Sequence, residues 1–206
     1  MPDWEKRFDT VPESHGMWDN IVVVTDRKLC EKPFDEQIDL LCSKHPRALI
    51  LCEPDLDEQE YAKLARQTML TCTLYGVRFV PVGHVNLAEK LGLEVVHLST
   101  DEIKETPEST LSLFSGIGTS VRTLDQAIEA KNLGVKFMLA GPIFETEHEP
   151  GAIPKGMGFV HNVMSVTRMQ TFGIGGMTAD EKLVKESLRA GGSGIAIRTA
   201  AMKMEG

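Results

Sequence analysis

Two glycine-rich runs decide the fold: Gly173-Ile174-Gly175-Gly176-Met177-Thr178 and Gly191-Gly192-Ser193-Gly194-Ile195-Ala196-Ile197-Arg198-Thr199. Each couples a short apolar run to a stretch with helical spacing, as at a strand-to-helix junction. Glycine lets a backbone approach an anion closely, and the free N–H groups of a first helical turn point toward it. Two such junctions on successive units match a phosphate site after the last two strands of a (β/α)₈ barrel. Tight turns alone would also use these glycines, and that simpler reading stands beside the phosphate one.

Outward from these runs the same alternation repeats. Buried strands are expected at 21–24 (Ile-Val-Val-Val), 48–52, 77–81, 94–98, 116–119, 136–140, 171–174 and 194–197. Helical spacing separates them, most clearly from Asp57 to Tyr75, where Tyr61, Leu64, Ala65 and Thr68 share a face before Gly76. Further helices are expected over 34–44, 87–91, 123–133, 179–189 and part of 156–168. Continuous apolar strands in strict βα alternation imply a parallel sheet covered on both faces. A single small (β/α)₈ TIM barrel over 20–206 follows. An open doubly wound sheet is the alternative, but Thr25-Asp26-Arg27-Lys28 after the first strand lacks the glycine turn of such folds. Residues 1–19, with Trp4 and Trp18, read as an N-terminal arm packing under the barrel or onto a partner.

Composition narrows the functional classes. The 206 residues are 42% hydrophobic and 25% charged, as in ordinary globular proteins. A formal charge of -8 argues against a nucleic-acid partner. No apolar run approaches the roughly 18 residues of a membrane span. The opening Met1-Pro2-Asp3-Trp4 has no secretory apolar core, which points to the cytoplasm. Cys30, Cys42, Cys52 and Cys72 fall singly and read as reduced thiols rather than disulfides or zinc ligands.

In a barrel the chemistry gathers at the C-terminal strand ends. Beyond the glycine runs, the sequence places there Glu53, His97, Ser120, Arg122 and the long loop Gly141-Pro142-Ile143-Phe144-Glu145-Thr146-Glu147-His148-Glu149-Pro150-Gly151. The loop's glutamates and His148 have proton-transfer chemistry, although a solvated acidic loop would look the same. His97, in an apolar strand end, reads as a core histidine before a ligand-facing one. Arg122 stays protonated, so it suits gripping phosphate or carboxylate rather than acting as a base.

The chain resembles the thiamine phosphate synthase superfamily, which includes the TenI-type thiazole tautomerases. The resemblance rests on Val24-Thr25-Asp26, Leu56-Asp57-Glu58, Val96-His97-Leu98, Gly118-Thr119-Ser120-Val121, Gly141 to Thr146, Gly173 to Thr178 and Ala190 to Ala200. It implies a (β/α)₈ barrel, commonly a homodimer, with a phosphorylated ligand at Gly175, Gly176, Ile197, Arg198 and Thr199. Ser120 and Thr146 join the ligand set.

The departures from the synthase pattern are specific. Where it carries Arg-Glu-Lys after strand 2, this chain has Cys52-Glu53-Pro54. Where it carries Asn-Asp after strand 3, Val82-Gly83 stand, and Glu102 occupies the place of the second metal carboxylate. Glu149 replaces a loop lysine, and Arg122 aligns with the tautomerase histidine. The expectation is a TenI-like protein binding thiazole phosphate or a related heterocycle, with Glu53 or His148 moving a proton and Arg122 beside the ring. Thiamine phosphate synthase with an altered diphosphate site is the alternative; only there does Mg²⁺ enter, as the sole cofactor. A non-catalytic phospho-ligand-binding regulator is the third reading.

Overall fold

The computed structural model describes residues 14–206. Eight strands, β1 (Ile21–Val24), β2 (Ala48–Leu51), β3 (Arg78–Pro81), β4 (Val95–His97), β5 (Gly116–Val121), β6 (Phe137–Ala140), β7 (Gln170–Ile174) and β8 (Gly194–Ile197), alternate with helices. All pair in parallel, in the order β3-β2-β1-β8-β7-β6-β5-β4. A parallel bridge between Val82 and His97, with the Gly83 N–H donating to the His97 carbonyl at 2.9 Å, joins the two ends. The sheet is a nearly closed (β/α)₈ barrel.

Strand alternation divides the apolar residues into two cores. Val22, Val24, Ala48, Ile50, Val80, Leu139, Phe172 and Ala196 fill the interior. Ile21, Val23, Leu49, Leu51, Ile195 and Ile197 point outward and pack on the helices. Phe137 supplies much of the filling; a Cβ on Gly118 would lie 2.0 Å from its ring, so β5 tolerates only glycine there.

The helices are α1 (Phe34–Cys42), α2 (Glu58–Leu74), α3 (Val85–Lys90), α4 (Thr100–Glu105), α5 (Glu108–Leu111), α6 (Leu124–Asn132), α7 (Gly158–Thr167), α8 (Glu181–Arg189) and α9 (Thr199–Met202). Their starts are chemically marked. Asp57 caps α2 by accepting from the Gln59 and Glu60 N–H groups at 2.9 and 2.8 Å, and Thr123 caps α6. The polar stretch around Pro107, where sequence gave no regular element, forms α4 and α5. A Ser99–Glu102 capping box starts α4. Strand β5 runs to Val121, two residues past the expected end, because Ser120 and Val121 pair with Leu139 and Ala140.

Of the expected N-terminal arm, residues 1–13, Trp4 included, lie outside the described part. Gly16–Asn20 form a 3₁₀ turn leading into β1, and Trp18 packs against the outer core. Among the described residues, no helix is long and apolar enough to cross a membrane.

Candidate functional site

A cavity of about 460 Å³ opens at the C-terminal strand ends. Its inner wall continues the barrel interior: Val24, Ile50, Cys52 and Val82 on one side, Leu139, Ile174 and Ala196 on the other. Its outer wall is the β6–α7 loop, Glu145 to Glu149.

Most residues chosen from sequence converge here. Ser120, Arg122, Thr146, His148, Gly175, Gly176, Arg198 and Thr199 all line the cavity. Ile197 lies beneath them, fully buried in the outer core. Glu53 does not line the cavity. Its side chain is 1% exposed and accepts from the Thr25 hydroxyl at 2.7 Å, the Arg27 N–H at 3.0 Å and the Arg27 guanidinium at 3.1 Å. Arg27 continues to Asp55, whose carboxyl it holds well below the usual range, and Lys28 joins at 2.9 Å. This network fastens the β1 end to the β2 end.

The glycines have a structural reason beyond turning. Gly175 and Gly176 adopt φ of +99° and +64°. A Cβ on Gly175 would stand 2.8 Å from Pro142, and one on Gly176 would stand 2.5 Å from the Glu145 carbonyl. The β6 loop docks edge-on here, with Ile143 N–H donating to the Ile174 carbonyl at 2.8 Å and Phe144 N–H to the Gly175 carbonyl at 3.0 Å. The short helix α9 starts beside them at Thr199, so its first-turn N–H groups have no intrahelical acceptor.

Two arginines line the cavity, and each has a carboxylate. Arg198 Nη2 donates to Asp26 Oδ2 at 2.9 Å, both side chains largely buried, while its Nε is buried without an acceptor. Arg122 forks onto Glu149, Nε to Oε2 at 3.2 Å and Nη2 to Oε1. That contact raises the Arg122 pKa and lowers that of Glu149. Two of the positions where the chain departs from its resemblance, 122 and 149, are thus one charge-compensated pair.

His97, which the sequence reads as a core histidine before a ligand-facing one, is both buried and part of the lining. It is 7% exposed and lines the cavity, with Nε2 3.2 Å from Ser120 Oγ and Nδ1 unpartnered. Burial pushes its pKa down to about 4, so the ring is neutral at pH 7. Its position at a strand C-terminus was the available signal. His148 sits opposite on the loop, and burial together with the Arg198 charge lowers its pKa as well. Burial raises the Cys52 thiol, which keeps it protonated.

Glu102 faces a separate groove beside Glu58, His84 and Glu105. Its Oε2 accepts from the Ser99 N–H at 2.7 Å and hydroxyl at 2.8 Å. Val82 and Gly83 supply no oxygen side chain, and among the described residues no three His, Cys, Asp or Glu groups converge. Of the two metal carboxylates implied by the synthase resemblance only Glu102 remains, and a Mg²⁺ there would take its other oxygens from water and a ligand phosphate.

An eight-stranded βα barrel with a ligand-sized cavity at its C-terminal mouth defines the structural class. Within that class, the chain belongs to the thiamine monophosphate synthase (TMP-TENI) family, whose sequence profile matches residues 21–201. The thiamine-phosphate synthase of Persephonella marina is 24% identical over 186 residues, covering 89% of this chain and 88% of the relative. That of Thermus thermophilus is 31% identical over 107 residues, 52% of this chain and 51% of the relative. A solved thiamine phosphate pyrophosphorylase from Pyrococcus furiosus shares the fold with a TM-score of 0.74 and 22% identity, covering 90% and 88% of the two chains.

Proposed function

We propose that this chain binds a monophosphorylated thiazole or a closely related heterocycle, in the manner of the TenI-like branch, and shifts a proton on its ring. The carrying observation is the asymmetry of the cavity. One end has Gly175, Gly176 and the open first turn at Thr199; the wall that continues from it around β1 to β3 is Val24, Ile50, Cys52 and Val82. Backbone N–H groups suit one phosphate, and the apolar wall suits a flat ring. Both lining arginines are held by carboxylates, which leaves Lys203, only loosely paired with Glu147 at 3.8 Å, as the cation that a second phosphate could meet.

Proton transfer falls to the two imidazoles rather than to Glu53, which is outside the lining. A neutral imidazole accepts at one nitrogen and donates at the other. His148 on the loop and His97, hydrogen-bonded to Ser120, stand on opposite sides of the cavity. One neutral imidazole takes a proton from the ring, becomes imidazolium, and returns that proton at the second ring position, ending neutral with no net charge change.

The synthase reading is supported by the relatives' names. It joins a pyrimidine diphosphate to thiazole phosphate with loss of diphosphate. The charge absent around Cys52, Val82 and Gly83 amounts to several charge-assisted bonds of about 1.5–3 kcal/mol each. Coupling is then slower by about 10⁴-fold than with the full set.

The test is a direct comparison of products. Carboxythiazole phosphate is incubated with the protein in deuterated water, and ring exchange or tautomerisation is followed by NMR. Turnover reduced at least tenfold by His148→Ala or His97→Asn is the expected result. Thiamine phosphate formed from the two halves with Mg²⁺ would establish the synthase instead. Thermal stabilisation without turnover would leave a binding protein.

A further inference from the structure

The β6–α7 loop is tied firmly at its roots and lightly at its tip. Besides the Ile143 and Phe144 contacts to β7, Lys155 N–H donates to the Pro142 carbonyl at 3.0 Å and Gly156 N–H to the Ile143 carbonyl at 2.9 Å. Between these roots, the tip's side chains reach the barrel through Glu149 on Arg122 and a long Glu147–Lys203 contact of 3.8 Å. The Glu149 contact is the two-pronged geometry in which a guanidinium takes a carboxylate from any source. Both partners line the cavity, and the neighbouring Arg198 is already held by Asp26.

We infer that Arg122 is a second anion subsite, occupied in the ligand-free protein by the chain's own Glu149. A ligand carrying a carboxylate as well as its phosphate displaces Glu149 from Arg122. The ligand thereby frees the loop tip. A ligand with phosphate alone leaves the latch closed. Glu149 is therefore a built-in competitor: carboxylated ligands must open the loop to reach Arg122, and phosphate alone does not. The pair is partly exposed, with side chains 55% and 27% accessible, so water weakens the competition without abolishing it.

The choice of ligand rests on the heterocycle reading above; the latch itself does not. Three compounds are titrated calorimetrically into the wild type, Glu149→Gln and Arg122→Met: inorganic phosphate, thiazole phosphate and carboxythiazole phosphate. Removing the competitor is expected to tighten carboxythiazole phosphate about three- to fivefold in Glu149→Gln, the scale of a partly exposed ion pair. The other two compounds keep their affinities. Arg122→Met is expected to erase the preference for the carboxylated compound. Independently, ligand-free Glu149→Gln is expected to be cut by a glutamate-specific protease after Glu147, in the loop tip, several times faster than the wild type. Equal wild-type and Glu149→Gln affinities for a carboxylated compound that does bind would overturn the inference. So would an unchanged cleavage rate at Glu147, whatever the ligands do. Binding of phosphate without either thiazole would instead overturn the heterocycle reading and leave the latch to the proteolysis result.

Discussion

The β7–β8 rim and the β1–β2 rim adjoin at the β8–β1 pairing and border one cavity, and they manage polarity in opposite ways. At β7–β8 the polar groups are largely backbone, Gly175 and Gly176 at positive φ and then the open turn at Thr199, with the Arg198 side chain held by Asp26. At β1–β2 they are side chains, and these are satisfied among themselves: Glu53 by Thr25 and Arg27, Asp55 by Arg27 and Lys28. A rim of free amides can receive an anion. A rim of closed ion pairs holds two strands together and leaves only Cys52, Ile50 and Val24 facing inward.

Breaking the closed rim should have the largest effect. Glu53→Gln sets an amide N–H₂ among donors that the buried carboxylate accepts, while Arg27 keeps its two bonds to Asp55, and should cost about 3 kcal/mol, read from denaturant unfolding. Ligand affinity should change little once the variant is folded. Loss of turnover with full stability would instead restore Glu53 as the proton carrier.

The cavity that both rims border has its own signature. His97 is neutral when folded down to about pH 4 and ordinarily titrates near 6.5. Below pH 6.5 the unfolded chain therefore binds the extra proton first, so stability falls as pH drops toward 4 and then levels. The span corresponds to about 3 kcal/mol. His97→Asn should flatten this part of the stability–pH curve, a result checked by urea midpoints between pH 7 and pH 4.

The open rim is tested at Gly176. Alanine there brings a Cβ to 2.5 Å from a backbone carbonyl at positive φ. The expected losses are about 1–3 kcal/mol of stability and at least tenfold in phosphate affinity. Unchanged phosphate binding would move the anion site away from β7.

The smallest effect sharpens the comparison by making the two rims alike. Cys52→Arg introduces a guanidinium on the apolar wall and should improve pyrophosphate binding about tenfold, one strong charge-assisted bond. No gain would mean that the missing charge at this wall is not what limits diphosphate binding.

Particular residues show where sequence reasoning reached and where it stopped. Val22 and Val23 belong to one apolar run, and their burial on both faces followed from the absence of polar alternation. Gly175 and Gly176 were legible because only glycine takes those angles against a docking loop. Glu53 was misread as cavity-facing because a glutamate at a strand end looks the same whether its carboxylate faces solvent, ligand or a neighbouring arginine. His97 stayed open between core and lining for the complementary reason: an apolar neighbourhood in sequence does not reveal a cavity above it.

By itself, then, the sequence determined the eight βα units, the barrel they close into and the glycine rim, because periodicity and backbone freedom are local properties. Only the tertiary structure decided that Arg27 satisfies Glu53, that Ser120 meets His97, and that Glu149 closes on Arg122. Those pairings join residues 26, 23 and 27 positions apart. Which charge neutralises which is a matter of distance in space, and strand order sets that distance only after the barrel has closed.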